Sequence, residues 1–361
     1  MYEGPCLPTR PGALTQKEAA DQMVRCALIL NGYGIDQFPG AWSVFECSGY
    51  WGEQHYGGGL MHRIPHERPK PVYCAHATMT RLLNRRNFKK WLPTGSLSVY
   101  AVQYQHYKTT NDYSYVFWTI RGRRPVSLTV PAGTKTTVFD MMDNGVELKE
   151  TNGVISFVAE SEPRIVQGLT ADPLITLGTP DHSDAQPAAT ARLLSNPGNG
   201  NWSLSEETDK TYTDNNYLQI ARFPGKMSVR QEPAPQQQGG KALAVKLDKQ
   251  EKERKIMPFF TTLVPPKPIE IPGKASHLGL WVRAASDWGR VVYSLRDAQG
   301  ERWISIGTKE EWNCDDIHNW SAFCFDGWRY LRFELPANSP YDTYREYGST
   351  WWGHFEKGDG I

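Results

Sequence analysis

The sequence predicts a multidomain, mainly β chain: a short α/β stretch, then an antiparallel β-sandwich, then a second all-β region. Three observations predict it. Helical periodicity is confined to residues 1–92. Beyond them, short β-branched and aromatic runs alternate with turn signals, the pattern of antiparallel sheets. The length of 361 residues exceeds one ordinary domain.

The first helix is marked by Thr15 followed by Glu18, a capping box. Ala20, Met23, Val24, Ala27 and Leu28 then recur at helical spacing, and Asn31-Gly32 is the expected stop. The segment "YGIDQFPGAWSVF" reads as a buried strand, followed by the aromatic, Gly-rich loop "ECSGYWGEQHYGGGLMHRIPHERP". The helix "KPVYCAHATMTRLLNRR" comes next, with Val72, Ala75, Met79, Leu82 and Leu83 on one face. Helix, strand, loop and helix in that order belong to a parallel sheet covered by helices, and one strand alone leaves both its edges unpaired. The strand must therefore be completed by another chain or by more of the same one.

Residues 93–170 hold six strand-like runs: "SLSVYAVQYQ", "YSYVFWTI", "PVSLTV", "KTTVFDMM", "GVISFVA" and "PRIVQG". Turn signals separate them at Thr110-Asn111-Asp112, Arg121-Gly122, Pro131-Ala132-Gly133, Asp143-Asn144-Gly145 and Asn152-Gly153. Residues 171–195 are polar and Pro/Ala-rich and read as a linker. Residues 196–361 return to strands, including "KALAVKL", "HLGLWVRA", "VVYSLRDAQGERWISIG" and "WRYLRFELP". The closing "HFEKGDGI" is a turn signal with no returning strand, so this region is expected to be cut at its C-terminus.

With 40 basic and 39 acidic residues the net charge is +1, which gives no electrostatic basis for binding nucleic acid or an acidic membrane. No apolar run is long enough to form a spanning helix. Met1 is not followed by a basic-then-apolar leader; a leader supplied by further upstream sequence would place the protein outside the cell or in the periplasm. None of the six cysteines forms a CxxC pair, so a zinc site is not expected. Cys314 and Cys324 are close enough in sequence to bridge across a hairpin, and the other four read as small buried hydrophobes. Thirteen Trp and seventeen Tyr suit either a β core or the apolar faces of sugar rings.

At this point a family resemblance enters. The run from "YEGP" through the capped helix, "NGYGIDQF", "YGGGLMHR" and "PKPVYCAHATMTRLL" resembles the end of a clan A (β/α)8-barrel glycoside hydrolase, similar to family 39 and its relatives. "YVFWTIRGRRPVSL" and "EPRIVQGL" are similar to the sandwich that often follows such a barrel. Residues 1–92 would then be a partial barrel, its remnant α/β end. "LGLWVRA", "YSLRDAQGERW" and "FDGWRYLRFELP" resemble a galactose-binding-like jelly-roll module that binds carbohydrate.

The resemblance implies that Glu3 is the catalytic nucleophile at the end of barrel strand seven. A retaining glycosidase needs a second carboxyl about 5 Å away to protonate the leaving oxygen. The family's acid lies on strand four, which this sequence does not contain, so the isolated chain is expected to be inactive. Trp42, Trp51, His55 and Tyr56 fall on the eighth strand and its loop, where the resemblance has them line a sugar subsite. The plainer reading packs Trp42 in the sheet and leaves the others to order the loop. Trp312, Asp315 and Asp316 lie in the crowded stretch "TKEEWNCDDIHNWSAFCFDGWRY", which reads as a glycan platform, with the two aspartates taking hydroxyl bonds or a structural calcium, or as an ordered loop. Trp288 and Trp303 alternate with polar residues and belong to the same glycan-binding reading. "PDHSDAQ" brings Asp, His and Ser together but lies in the linker, without the elbow of a nucleophilic Ser. The sequence thus implies a retaining glycosidase portion acting on oligo- or polysaccharide, or else a non-catalytic carbohydrate-binding protein. It calls for no cofactor beyond that calcium and no partner beyond carbohydrate.

Overall fold

The computed structural model describes residues 15–35, 60–62, 66–131, 133–205 and, within 214–353, chiefly 227–234, 239–248, 259–287 and 323–335. It is mainly β, with several antiparallel sheets and few helices. The chain divides into two compact units. The first comprises Met1–Gln186, Gly279–Val291 and Ile317–Arg332; the second comprises Pro187–Leu278, Val292–Asp316 and Phe333–Ile361.

The first unit begins with helix α1, Gln16–Gly32. Its capping box forms as expected: the Thr15 N–H donates to Glu18 Oε2 at 2.8 Å, and the Glu18 N–H donates back to Thr15 Oγ1 at 3.2 Å. The helix ends at Gly32, as the Asn31-Gly32 stop predicts, but Gly32 is not the left-handed cap residue. Gly32 is still helical, and the left-handed residue is Gly34, at φ 77°. Its N–H donates to Asn31 O, and the Ile35 N–H to Leu30 O, which closes the last turn. Gly32 has a different reason to be glycine: a Cβ there would sit 2.5 Å from the Trp91 ring.

Helix α2, Pro71–Leu82, starts with proline at its first position, where the missing N–H costs nothing. Val72, Ala75 and Leu82 are buried, and Met79 and Leu83 pack beside them. The same face buries Thr78, whereas Cys74 is exposed and Cys26 half-buried, so these two are not the buried hydrophobes expected. Cys324 is a buried, free thiol, and its expected partner Cys314 lies outside the described residues. The strand expected between the helices lies largely outside the described residues.

Nine strands follow: β1 Arg86–Trp91, β2 Val99–His106, β3 Tyr113–Thr119, β4 Arg124–Thr129, β5 Thr137–Phe139, β6 Lys149–Thr151, β7 Val154–Ala159, β8 Arg164–Leu169 and β9 Leu174–Leu177. They form a five-stranded sheet ordered β1-β2-β3-β8-β5 and a four-stranded sheet ordered β9-β4-β7-β6, antiparallel throughout. All six runs expected within residues 93–170 are strands, and β1, β6 and β9 join them. β9 falls in the stretch read as a linker and pairs along β4.

The turns follow their chemistry. Asn111, Gly122, Gly133, Asp143, Asn152 and Gly153 all have positive φ, one or more at each expected turn. Asn152-Gly153 forms the two-residue link between β6 and β7 that suits strand twist. Gly168 is needed for a close approach in β8: at φ 93° it marks a register shift, and a Cβ there would meet Lys135 O at 2.1 Å.

The five-stranded sheet is buried on both faces. Tyr104, Val102, Val116, Trp118 and Ile165 point to α1 and α2 and meet Val24, Leu28, Ala75 and Leu82. Ala101, Tyr115, Phe117 and Val166 point the other way and meet Val126, Leu128, Ile155 and Phe157 of the four-stranded sheet. The layers are therefore helices, sheet, sheet. Register sets the aromatic contacts: Tyr100 lies opposite Trp118, and their rings stack at 5.0 Å and 4°. Trp91 closes edge-on against both. Each large side chain buried this way contributes about 1.5–3 kcal/mol.

The second unit holds separate short ladders. Met227–Pro233 pairs with Lys241–Leu247 over seven positions, and Ser203–Ser205 pairs with Thr262–Val264. Arg302–Ile304 lies between Ser294–Arg296 and Trp352–Gly353.

Replacing Trp118 with Ala is expected to destabilise the chain by about 3–5 kcal/mol. Urea unfolding followed by tryptophan-independent circular dichroism checks this, and a loss under about 1 kcal/mol would contradict the two-sided burial described here.

Candidate functional site

Of the residues singled out from sequence, Glu3, Trp42, Trp51, His55, Tyr56, Trp288, Trp312, Asp315 and Asp316 lie outside the described residues. Trp303 sits on the strand Arg302–Ile304, opposite Leu295 on one side and Gly353 on the other. The expected Glu3 site and glycan platforms are thus not brought together among the described residues. Three polar clusters of the first unit are.

The first lies where the start of α1 meets the sandwich. Lys17 Nζ donates to Asp21 Oδ1 at 2.7 Å and approaches Glu162 Oε1 at 3.2 Å. Ser161 Oγ donates to the other oxygen of Asp21 at 3.1 Å. Glu162 Oε1 also accepts the Met141 N–H, and its Oε2 accepts from Arg164 at 2.7 Å. Arg164 reaches Glu160 as well, at 2.7 Å, and Glu160 takes a further bond from Arg123 at 2.9 Å. Asp21 is 2 % exposed, and burial pushes its carboxyl above the ordinary carboxylate value, against the pull of Lys17. A catalytic carboxylate needs a free oxygen within reach of substrate. Here both oxygens of Asp21, Glu160 and Glu162 are bonded within the protein, so the cluster fastens the helix to the sandwich.

The second cluster lies on β1, β2 and β3. Gln103 Nε2 donates to Tyr115 Oη at 2.9 Å and to Asp172 Oδ1 at 2.5 Å, and Tyr115 Oη donates to the same oxygen at 3.1 Å. Lys90 pairs with Oδ2 of Asp172 at 2.5 Å. Burial pushes the Tyr115 phenol far above its ordinary value, so it remains a donor.

The third cluster gathers residues distant in sequence around Asp326. Ser96 Oγ donates to its Oδ2 at 2.5 Å and Ser286 Oγ to its Oδ1 at 2.8 Å, with Arg124 Nη1 at 3.5 Å. His182 Nε2 lies 2.7 Å from the Asp326 carbonyl oxygen. Arg329 Nη1 lies 3.2 Å from the other ring nitrogen, Nδ1, and the same guanidinium forms a two-pronged pair with Asp184 at 2.9 and 2.8 Å. Ser286 is fully buried at φ 56°, and its N–H donates to Phe325 O. Burial pushes the His182 imidazole below its ordinary value.

Sequence reasoning passed over Asp326 and weighed His182 only as part of "PDHSDAQ". The "PDHSDAQ" stretch does place its His in a polar cluster, but both ring nitrogens are occupied, so it has no basic nitrogen left to activate a Ser. The Asp-Gly pair at 326–327, with Gly327 at φ 81°, was the available signal for a fixed backbone there. Among the described residues no group of three His, Cys, Asp or Glu is placed to hold a metal. Nor, among them, is any helix long and apolar enough to cross a membrane.

A carboxyl whose folded-state pKa is raised, as that of Asp21 is, contributes stability that is present below its unfolded value of 3.8 and lost as pH rises through the folded value. Asp21→Asn is therefore expected to gain stability relative to the parent as pH rises from about 3.5 to about 7. Paired urea titrations check this, and a difference that is constant or falls over that range would overturn it.

No protein-family model and no curated protein matches the chain. Among solved structures, a family 39 glycoside hydrolase from the gut symbiont Bacteroides cellulosilyticus WH2 is similar at 19 % identity and a TM-score of 0.35. The match covers 44 % of this chain and 31 % of that one.

Proposed function

We propose that the polypeptide carrying this chain is a retaining glycoside hydrolase acting on oligo- or polysaccharide, with Glu3 as its nucleophile. The observation that carries this reading is the layering of the first unit. Two amphipathic helices, in the order capped helix then "PKPVY" helix, lay their apolar faces on an antiparallel sheet that is itself the inner layer of a sandwich. That arrangement fits the resemblance, in which a sandwich follows the last helices of the barrel.

In this chemistry Glu3 attacks the anomeric carbon while a second carboxyl, about 5 Å away, protonates the departing oxygen. Water then hydrolyses the glycosyl ester, with the second group acting as base. Asp21, Glu160 and Glu162 do not serve as that second group, since their oxygens are taken up in ion pairs and hydrogen bonds. The resemblance puts that acid on a barrel strand this sequence does not contain, so the 361-residue chain alone is proposed to be inactive. Trp42, Trp51, His55 and Tyr56 would line the sugar subsite beside Glu3. Trp288, Trp303, Trp312, Asp315 and Asp316 would bind glycan remotely.

Expressed from its whole open reading frame, the protein is expected to hydrolyse an aryl glycoside with retention, read by proton NMR of the first-formed anomer. Glu3→Gln is expected to lower kcat by about a thousandfold or more with the fold intact. Turnover that Glu3→Gln leaves unchanged would sink the assignment. Retention on polysaccharide affinity gels without turnover would replace it with a non-catalytic carbohydrate-binding protein.

A further inference from the structure

We propose that His182 is a pH-operated latch that holds the start of the strand Asp326–Glu334 against the sandwich, closed at neutral pH and loosened when the imidazole takes a second proton. The inference is carried by what each ring nitrogen faces. Nε2 lies 2.7 Å from a backbone carbonyl, Asp326 O, which only accepts, so Nε2 carries the hydrogen. Nδ1 lies 3.2 Å from Arg329 Nη1, which only donates, so Nδ1 is the bare acceptor. The ring is therefore held as one neutral tautomer. A proton added at Nδ1 removes the acceptor that Arg329 uses and sets two cations side by side.

The ring cannot easily turn away from this arrangement. It is 8 % exposed, and Phe325 meets it edge-on at 5.5 Å. Gly122 backs Nδ1 so closely that a Cβ there would lie 2.3 Å from it. Other charges face the site from each neighbouring element. On its own turn, Asp184 is paired with Arg329, while Asp181 accepts from the Ser183 N–H and lies 4.0 Å from Arg123. On the opposing strand, the Asp326 carboxylate is engaged with Ser96, Ser286 and Arg124. Burial opposes a charged ring, and Arg329 adds to that; the bond to the Asp326 carbonyl and the two aspartates of the turn favour it, and the balance lies below the ordinary value of 6.5.

A histidine with a lowered docked-state pKa contributes stability that is present above its undocked value, near 6.5, and lost as pH falls from there towards the docked value. The loss is local, because the Asp326 carboxylate keeps its own partners. Hydrogen exchange read by mass spectrometry on the whole chain tests this. After correction for intrinsic chemistry, peptides covering 326–332 are expected to exchange faster at about pH 5.5 than at about pH 7.5, by a factor capped at about ten by the undocked pKa, while Tyr113–Thr119 stays unchanged.

His182→Gln offers an amide donor and acceptor in place of the two ring nitrogens but takes up no proton, so the step should vanish. Arg329→Met removes the opposing cation and should shrink the step even if the glutamine variant folds poorly. Flat exchange across 326–332 in the parent, or a step of undiminished size in either folded variant, would overturn the proposal.

Discussion

The five-stranded sheet has no face it can show to water. Tyr104, Val102, Val116, Trp118 and Ile165 fill one side, and Ala101, Tyr115, Phe117 and Val166 fill the other. Because side chains alternate along a strand, slipping β2 against β3 by one residue would exchange these two sets. The stacked Tyr100–Trp118 pair and the Gln103–Tyr115 hydrogen bond both belong to the observed register and to no other. Everything else in the first unit answers that demand. The four-stranded sheet covers one face. The helices cover the other, and in doing so gain the packing that a seventeen-residue helix needs to persist in water.

Charge is confined to the margins of this core. Lys17–Glu162 ties α1 to the sandwich and Arg124–Asp326 ties β4 to the strand Asp326–Glu334, while Lys17–Asp21 and Glu162–Arg164 are local pairs that set up those ties. Such pairs add little net stability once their desolvation is counted, but their geometry restricts how the layers are set against one another. Their saturation also bears on function. Carboxylates tied up in this way serve as scaffold, so the proposed chemistry rests on Glu3 and on an acid outside these layers.

What the sequence made legible was local. The Thr15–Glu18 box and the five turn signals depend on residues within a few positions of each other, and all of them appear in the structure. The glycine that ends α1 shows the opposite case. Gly32 looked like a stop signal, but its smallness serves the Trp91 ring, which arrives from a strand almost sixty residues later. β1, "RNFKKW", carries too much charge to read as a strand and forms because β2 offers it a ladder. β9 hid in a Pro-rich stretch for the same reason. The His182–Asp326 contact, spanning 144 residues, had no local signature beyond the Asp-Gly turn. The proposed catalytic and glycan-binding residues were legible through a family resemblance and through aromatic crowding. Geometry among the described residues adds only the helix-on-sheet layering.

The ends of the two sheets carry a consequence for solubility. Among the described residues the two sheets end in four outer strands, the places where another molecule's strand could pair, and on β5 the Val146 N–H already takes up Val138 O. Here β5 and β6 are three residues long and β9 four, too short to template a lasting ladder. The longest outer strand, β1, is interrupted by a register shift between Phe88 and Lys90 and bears consecutive lysines at its bend. Lengthening β5 or straightening β1 would leave the core untouched and still turn a self-contained unit into one that adds copies of itself.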